Sequence, residues 1–226
     1  MPISLRSAVV LGSTGLVGGC LLRMLAARPG LERVVAIGRR PSGAAGSRVA
    51  PVTEVVADLG VPATYRDHLD VDCVFCALGT TIKKAGSEAA FRQVDYEYPL
   101  AVARAAVERG ARRYVIVTAV GADPKSRIFY NRVKGELEES LKELPFAGGL
   151  RVLHPSILLG DRAEARPGEG VAASVMKATA GLFVFGLAKY RAISAEEVAR
   201  AMMAAATADG QGTVVYEGKS LFDLAV

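Results

Sequence analysis

Tyr130 and Lys134 stand one helical turn apart in Phe129-Tyr130-Asn131-Arg132-Val133-Lys134. On a helix that spacing puts both side chains on one face. An ammonium beside a phenol favours the phenolate, so such a pair can pass a proton to or from a bound molecule near neutrality. In a chain with seven tyrosines the spacing also arises by chance, and the competing reading is a surface pair. Thr118 ends the apolar run Arg113-Tyr114-Val115-Ile116-Val117, which puts a hydroxyl near the same helix, placed to orient a carbonyl oxygen.

A second constellation lies at the start of the chain. Gly12-Ser13-Thr14-Gly15-Leu16-Val17-Gly18 joins the run Ala8–Leu11 to a helical stretch. In that setting the first glycine permits a tight turn, the middle one lets backbone approach a diphosphate, and the last lets helix and strand pack closely. The free amides and the helix dipole then face the phosphates of a dinucleotide. A carboxylate after the second strand would hold ribose hydroxyls, but this chain has Gly38-Arg39-Arg40 there. Guanidinium forks suit a 2′-phosphate, so the pair points to NADP(H); the alternative is two surface arginines. Ligands lie beyond strand carboxyl ends, so Asp58 and Leu59, and Ala77, Leu78 and Gly79, are expected to line the adenine and ribose. His154 and Pro155, closing the sixth run, are counted with the cofactor-facing residues; a buried histidine satisfied by its neighbours competes with that reading.

These residues need a frame, and the chain supplies strands alternating with helices. Strands are expected at Ala8–Leu11, Arg33–Ile37, Val52–Ala57, Cys73–Ala77, Arg113–Val117, Leu150–Leu153 and Thr213–Tyr216. Helices are expected at about 15–27, 87–109 with a break before Pro99, 128–143, 171–180 and 195–208. A short helical piece falls within 62–69, and 41–51 reads as a loop. In the helix 128–143, Glu136, Glu138 and Glu139 are expected to face mostly outward. Continuous apolar strands between helices indicate an α/β, Rossmann-type doubly wound parallel sheet covered on both faces. The chain of 226 residues reads as one domain, with 156–226 as a small cap over the sheet's carboxyl edge.

Composition removes other classes. The chain is 51% hydrophobic, which argues against disorder. No apolar run reaches the roughly 20 residues of a membrane span, and the N-terminus lacks a basic region followed by an apolar one, so the chain is expected in the cytoplasm. The net charge of +5 is spread over separated pairs such as Lys83-Lys84 and Arg112-Arg113, most of them read as solvated surface, and no nucleic-acid partner is expected. Cys73 and Cys76 lie in a strand, where residues i and i+3 sit on opposite faces about 10 Å apart; they read as buried thiols. With two histidines and no ligand cluster around either, no metal is expected.

Taken together, the chain resembles the short-chain dehydrogenase/reductase superfamily, and within it the atypical subgroup of the mammalian Tat-interacting-protein oxidoreductase and its bacterial relatives. The resemblance rests on Gly12 to Gly18, Leu78-Gly79-Thr80-Thr81-Ile82-Lys83-Lys84-Ala85-Gly86, Gly121-Ala122-Asp123, Tyr130 to Glu136, and Asp161 to Glu169. It implies a Rossmann fold binding NADP(H), with Tyr130 and Lys134 in the catalytic positions. Two departures stand out: Thr118-Ala119 replaces the usual hydroxyl pair, and His154-Pro155 replaces Arg-Pro. Arg162 and Arg166 could hold an acidic substrate, but an ion-pair cluster with Asp161, Glu164 and Glu169 is favoured. The expected activity is reduction of a small carbonyl compound. The alternatives are a non-catalytic NADP(H) sensor reporting to a protein partner and, disfavoured by chain length, a sugar-nucleotide epimerase or dehydratase.

Overall fold

Short runs of small and β-branched apolar residues, buried on both sides, can only sit in the middle of a layered structure, and they do. The computed structural model describes residues 4–43, 50–159 and 191–226. Its strands are β1 (Ser7–Leu11), β2 (Arg33–Gly38), β3 (Val52–Val56), β4 (Cys73–Cys76), β5 (Arg113–Val117), β6 (Leu150–His154), β7 (Leu158–Leu159), β8 (Ile193–Ser194) and β9 (Thr213–Glu217). The helices are α1 (Leu16–Ala26), α2 (Ile82–Ala85), α3 (Glu88–Arg92), α4 (Tyr98–Glu108), α5 (Phe129–Lys142), α6 (Ala195–Thr207) and α7 (Lys219–Leu224). The main sheet has seven strands in the order β3-β2-β1-β4-β5-β6-β9, all pairs parallel. β7 and β8 form a separate two-stranded pair.

The alternation of a strand divides the core. Ala8 and Val10 of β1 face one cluster, with Leu21, Leu22 and Leu25 of α1 and Val198 and Met202 of α6. Val9 and Leu11 face the other, with Val102 and Ala106 of α4 and Leu137 and Leu141 of α5. The chain winds outward through β1, β2 and β3, then returns to the centre at β4. The strand order therefore reverses between β1 and β4, and a crevice opens beyond their carboxyl ends.

The C-terminal expectation needs correction. Residues 195–226 are not a cap. α6 covers one face of the sheet beside α1, and β9 extends the sheet past β6. The run Thr213–Tyr216 is a strand, as its β-branched residues indicate, but its place in the sheet is fixed by a crossover that no local pattern reveals. The helix expected at 171–180, Arg162 and Arg166 lie outside the described residues.

Two smaller differences have local causes. α2 is a single turn between a Thr81 side chain that accepts from the Lys84 amide and Gly86 in a left-handed conformation; it is too short for helical periodicity to register. The region 87–109 is not broken before Pro99. α3 passes into α4 through a π-turn at Gln93–Glu97, and Pro99 falls where a helix start tolerates it.

Arg113 was expected among the surface pairs and is instead fully buried. Its Nε donates to the Gly148 carbonyl at 2.7 Å, and Nη1 donates to the carbonyls of Ala206 and Ala208, each at 2.7 Å. Buried Arg151 donates through Nη1 to the Gly212 carbonyl at 3.1 Å and through Nη2 to that of Gly210 at 2.5 Å. These guanidiniums collect the orphan carbonyls at the end of α6 and the turn into β9. Burial, then the neighbouring charge of Arg151, lowers the Arg113 pKa from its usual value.

Candidate functional site

β1 ends in Gly12, whose φ is +79° and where an added Cβ would lie 2.5 Å from the Ala77 carbonyl oxygen. At Gly18 an added Cβ would lie 2.2 Å from the Gly12 oxygen. The turn is therefore packed from both sides, against the loop after β4 and against α1. Gly15 is the N-cap of α1; no side chain caps it, and no acidic residue stands in the first turn. Ser13 is buried, while Thr14 and Gly15 are exposed and Leu16 is half-buried. The result is an uncapped helix start facing the crevice, with the positive end of its dipole uncompensated. That donor set fits the diphosphate of a dinucleotide.

Arg39 and Arg40 follow β2, both exposed, and form no ion pair among the described residues. The Asp58 carboxylate accepts from the Gly60 amide at 2.9 Å. The Leu59 side chain turns into the core, and its carbonyl accepts from the hydroxyl of buried Tyr65 at 3.4 Å. Ala77 and Leu78 are half-buried and Gly79 is exposed beyond β4.

Lys134 is 3% exposed, and its Nζ lies 2.7 Å from Asp95 Oδ1. Asp95 is 1% exposed, and its Oδ2 accepts from the Thr80 amide at 2.9 Å. An added Cβ at Gly79 would lie 4.0 Å from Nζ, so the ammonium sits directly under the loop after β4. Burial opposes the lysine charge, but the Asp95 carboxylate, and after it Tyr130, outweigh that, and the pKa lies above the ordinary lysine value. Tyr130 is half-buried, and its ring centroid lies 5.4 Å from that of Phe91 with the planes tilted by 42°. The π-turn carries Asp95 into this position. Such turns are frequent at functional sites because the extra residue re-aims one side chain.

Thr118 is buried just beyond β5, and its hydroxyl donates to Glu138 Oε1 at 2.6 Å. A hydroxyl has one proton to give, so this geometry does not leave Thr118 a donor for a carbonyl. Glu138, expected to face outward, is buried at 5% exposure. The same Oε1 lies 2.8 Å from His154 Nε2, while His154 Nδ1 lies 3.0 Å from Glu217 Oε2. Both ring nitrogens are thus engaged by carboxylates, and His154 is a satisfied buried histidine with no nitrogen left for a cofactor. Pro155 is buried beside it, and its carbonyl accepts from the Val120 amide at 3.2 Å.

The structure therefore gathers Gly12 to Gly18, Ala77 to Gly79, Tyr130 and Lys134 along one edge. It adds Asp95, Glu138 and Glu217, which sequence reasoning missed. For Asp95 the available signal was an acid set between Val94 and Tyr96 in a helical run that also carries Glu88, Glu97 and Glu108. Cys73 and Cys76 are buried free thiols. No described helix is long and apolar enough to cross a membrane.

Comparison with known proteins gives two family models, "Semialdehyde dehydrogenase, NAD binding domain" over residues 7–96 and "HIM1" over residues 56–182. "Protein fmp52, mitochondrial" of Emericella nidulans is 37% identical over 74% of this chain and 73% of that protein. "Protein FMP52, mitochondrial" of Coccidioides immitis is 32% identical over 92% of this chain and 89% of that protein. "Protein HTATIP2" of Rattus norvegicus is 32% identical over 97% of this chain and 89% of that protein. Among solved structures, "MoeE5 in complex with UDP-glucuronic acid and NAD" matches with a TM-score of 0.69 at 17% identity, over 93% of this chain and 75% of that one. A UDP-N-acetylglucosamine 4-epimerase from Methanobrevibacter ruminantium M1 matches with a TM-score of 0.70 at 18% identity, over 98% and 81%. These structures share the NAD(P)-binding fold. The cytoplasmic location expected from the N-terminal sequence is overturned by the fungal relatives, which are named as mitochondrial proteins.

Proposed function

We propose, from the premise that this chain belongs to the HTATIP2 and FMP52 family of atypical short-chain dehydrogenases/reductases, that it is an NADP(H)-dependent oxidoreductase reducing a small carbonyl compound. One observation carries the reading: the buried Lys134 ammonium, fixed on Asp95 beneath the loop after β4, shares a helix face with Tyr130 at the crevice that the uncapped start of α1 also faces.

When bound, the reduced nicotinamide supplies the hydride. The amides of Ser13, Thr14, Leu16, Val17 and Gly18 would hold the diphosphate, that of Gly15 being given to the Gly12 carbonyl at 2.9 Å, and Arg39 and Arg40 would hold the 2′-phosphate. Lys134, clamped by Asp95, holds ribose hydroxyls and favours a negative oxygen on Tyr130 after proton transfer. Tyr130 gives its proton to the carbonyl oxygen as the carbonyl carbon is reduced, and takes another from water. Thr118 receives a hydrogen bond from whatever donor lies above it, because its own proton goes to Glu138.

A second reading, a non-catalytic NADP(H) sensor, is favoured by one observation. Thr118 gives its proton inward and Ala119 has no hydroxyl, so Tyr130 has no hydroxyl donor beside it from the end of β5. Binding and turnover separate the two. Titrating NADPH fluorescence with the protein, then assaying a carbonyl panel with the parent and Tyr130→Phe, is expected to give cofactor binding in both and turnover only in the parent. Cofactor binding with no turnover by the parent favours the sensor.

A further inference from the structure

His154 and Glu217 are paired in register at the carboxyl ends of β6 and β9. The His154 ring bridges outward to Glu217 Oε2 at 3.0 Å and inward to Glu138 Oε1 at 2.8 Å. A neutral imidazole has one N–H and one lone pair, and a lone pair against a carboxylate oxygen is repulsive. Only the cation offers a hydrogen to both partners. The ring is 7% exposed, so neither bond is easily replaced by water.

Among the described residues, the charged groups facing it are Glu138 from α5 and Glu217 from β9; Thr118, beyond β5, reaches it through Glu138. The buried cation of α5, Lys134, is engaged by Asp95. One proton on one ring thus ties three elements together at the edge where the candidate site lies.

We propose that His154 is a pH-operated clamp: as a histidinium it ties β9 to α5 across β6, and when it loses that proton the tie opens and loosens the cofactor edge. The last clause rests on the cofactor reading above; the clamp itself does not. Burial opposes the ring's charge, but the bond and charge of Glu138, and then those of Glu217, prevail, and the pKa is raised above the ordinary histidine value. The sign follows: the clamp's stabilisation is full below the unfolded value of about 6.5 and is lost as pH rises through the folded one.

The test is nitrogen NMR of the whole labelled chain, whose two histidines are told apart with His68→Asn. At neutral pH the His154 ring is expected to show both N–H groups and to titrate above the ordinary value, with Glu217→Gln moving that titration down. A single N–H tautomer at neutral pH, or a titration at or below the ordinary value, overturns the clamp. NADPH affinity is then followed across the His154 titration. It is expected to fall severalfold in the parent and to fall at a lower pH in Glu217→Gln. Identical profiles in the two proteins overturn the coupling. Absence of NADPH binding at every pH defeats the cofactor reading instead, while the NMR result stands on its own.

Discussion

Asp95 shows how a residue can anchor the geometry of a candidate site while its sequence context says little of it. Its carboxylate is buried against a buried ammonium, and removing one partner of such a pair leaves an uncompensated charge at a cost of about 3–5 kcal/mol. Asp95→Ala is expected to lose that much in urea unfolding, whereas Asp95→Leu combined with Lys134→Met recovers most of it. Equal losses in the single and double variants would show that the pair is not coupled. Tyr130 and Lys134 were legible because helical spacing is local. Glu138 was misread because a charged residue on an amphipathic helix ordinarily faces water, and what holds it inside is a histidine from another strand. Under the proposed NADP(H) reading, Arg39→Ala with Arg40→Ala is expected to weaken NADPH binding far more than NADH binding. Equal weakening, read by fluorescence titration, removes the 2′-phosphate role.

At the scale of elements, the turn between β1 and α1 was legible from Gly12 and Gly18, because each answers a backbone demand visible in the motif. Gly18 is the sharpest case. A methyl there meets the Gly12 carbonyl, and forcing extra atoms into packed structure costs about 1–3 kcal/mol. Gly18→Ala is expected to lower both thermal stability and NADPH affinity; a variant that keeps both would mean that the turn tolerates a wider approach. The π-turn was not legible, since an extra residue in a helix leaves no compositional mark. Nor was the burial of Arg113. Its partners are the Gly148 carbonyl, 35 positions away, and carbonyls more than ninety positions away, and only the folded chain brings them within reach. Arg113→Met keeps the aliphatic bulk but strands those carbonyls. An unsatisfied buried polar group costs about 1–3 kcal/mol, and a urea midpoint unchanged from the parent would refute the capping role.

For the whole molecule, strand and helix alternation was enough to give the class, and the first six strands follow the expected parallel plan. The seventh did not announce its place. The rhythm changes after Pro155, and the change suggested a cap, yet the described C-terminal residues complete the sheet. Location was misjudged for a different reason: the expectation rested on the N-terminal residues, whereas the fungal relatives are named as mitochondrial proteins.

The joining of β6 to the final strand also sets an order of assembly. The carbonyls of Gly210 and Gly212 that receive Arg151, and the carboxylate of Glu217 that receives His154, follow β6 by about sixty positions. Until the ribosome delivers them, β6 is an open edge carrying cations meant for the interior. A nascent or prematurely terminated product therefore cannot close its sheet, and it stays in a state that chaperones and proteases can tell from the finished protein.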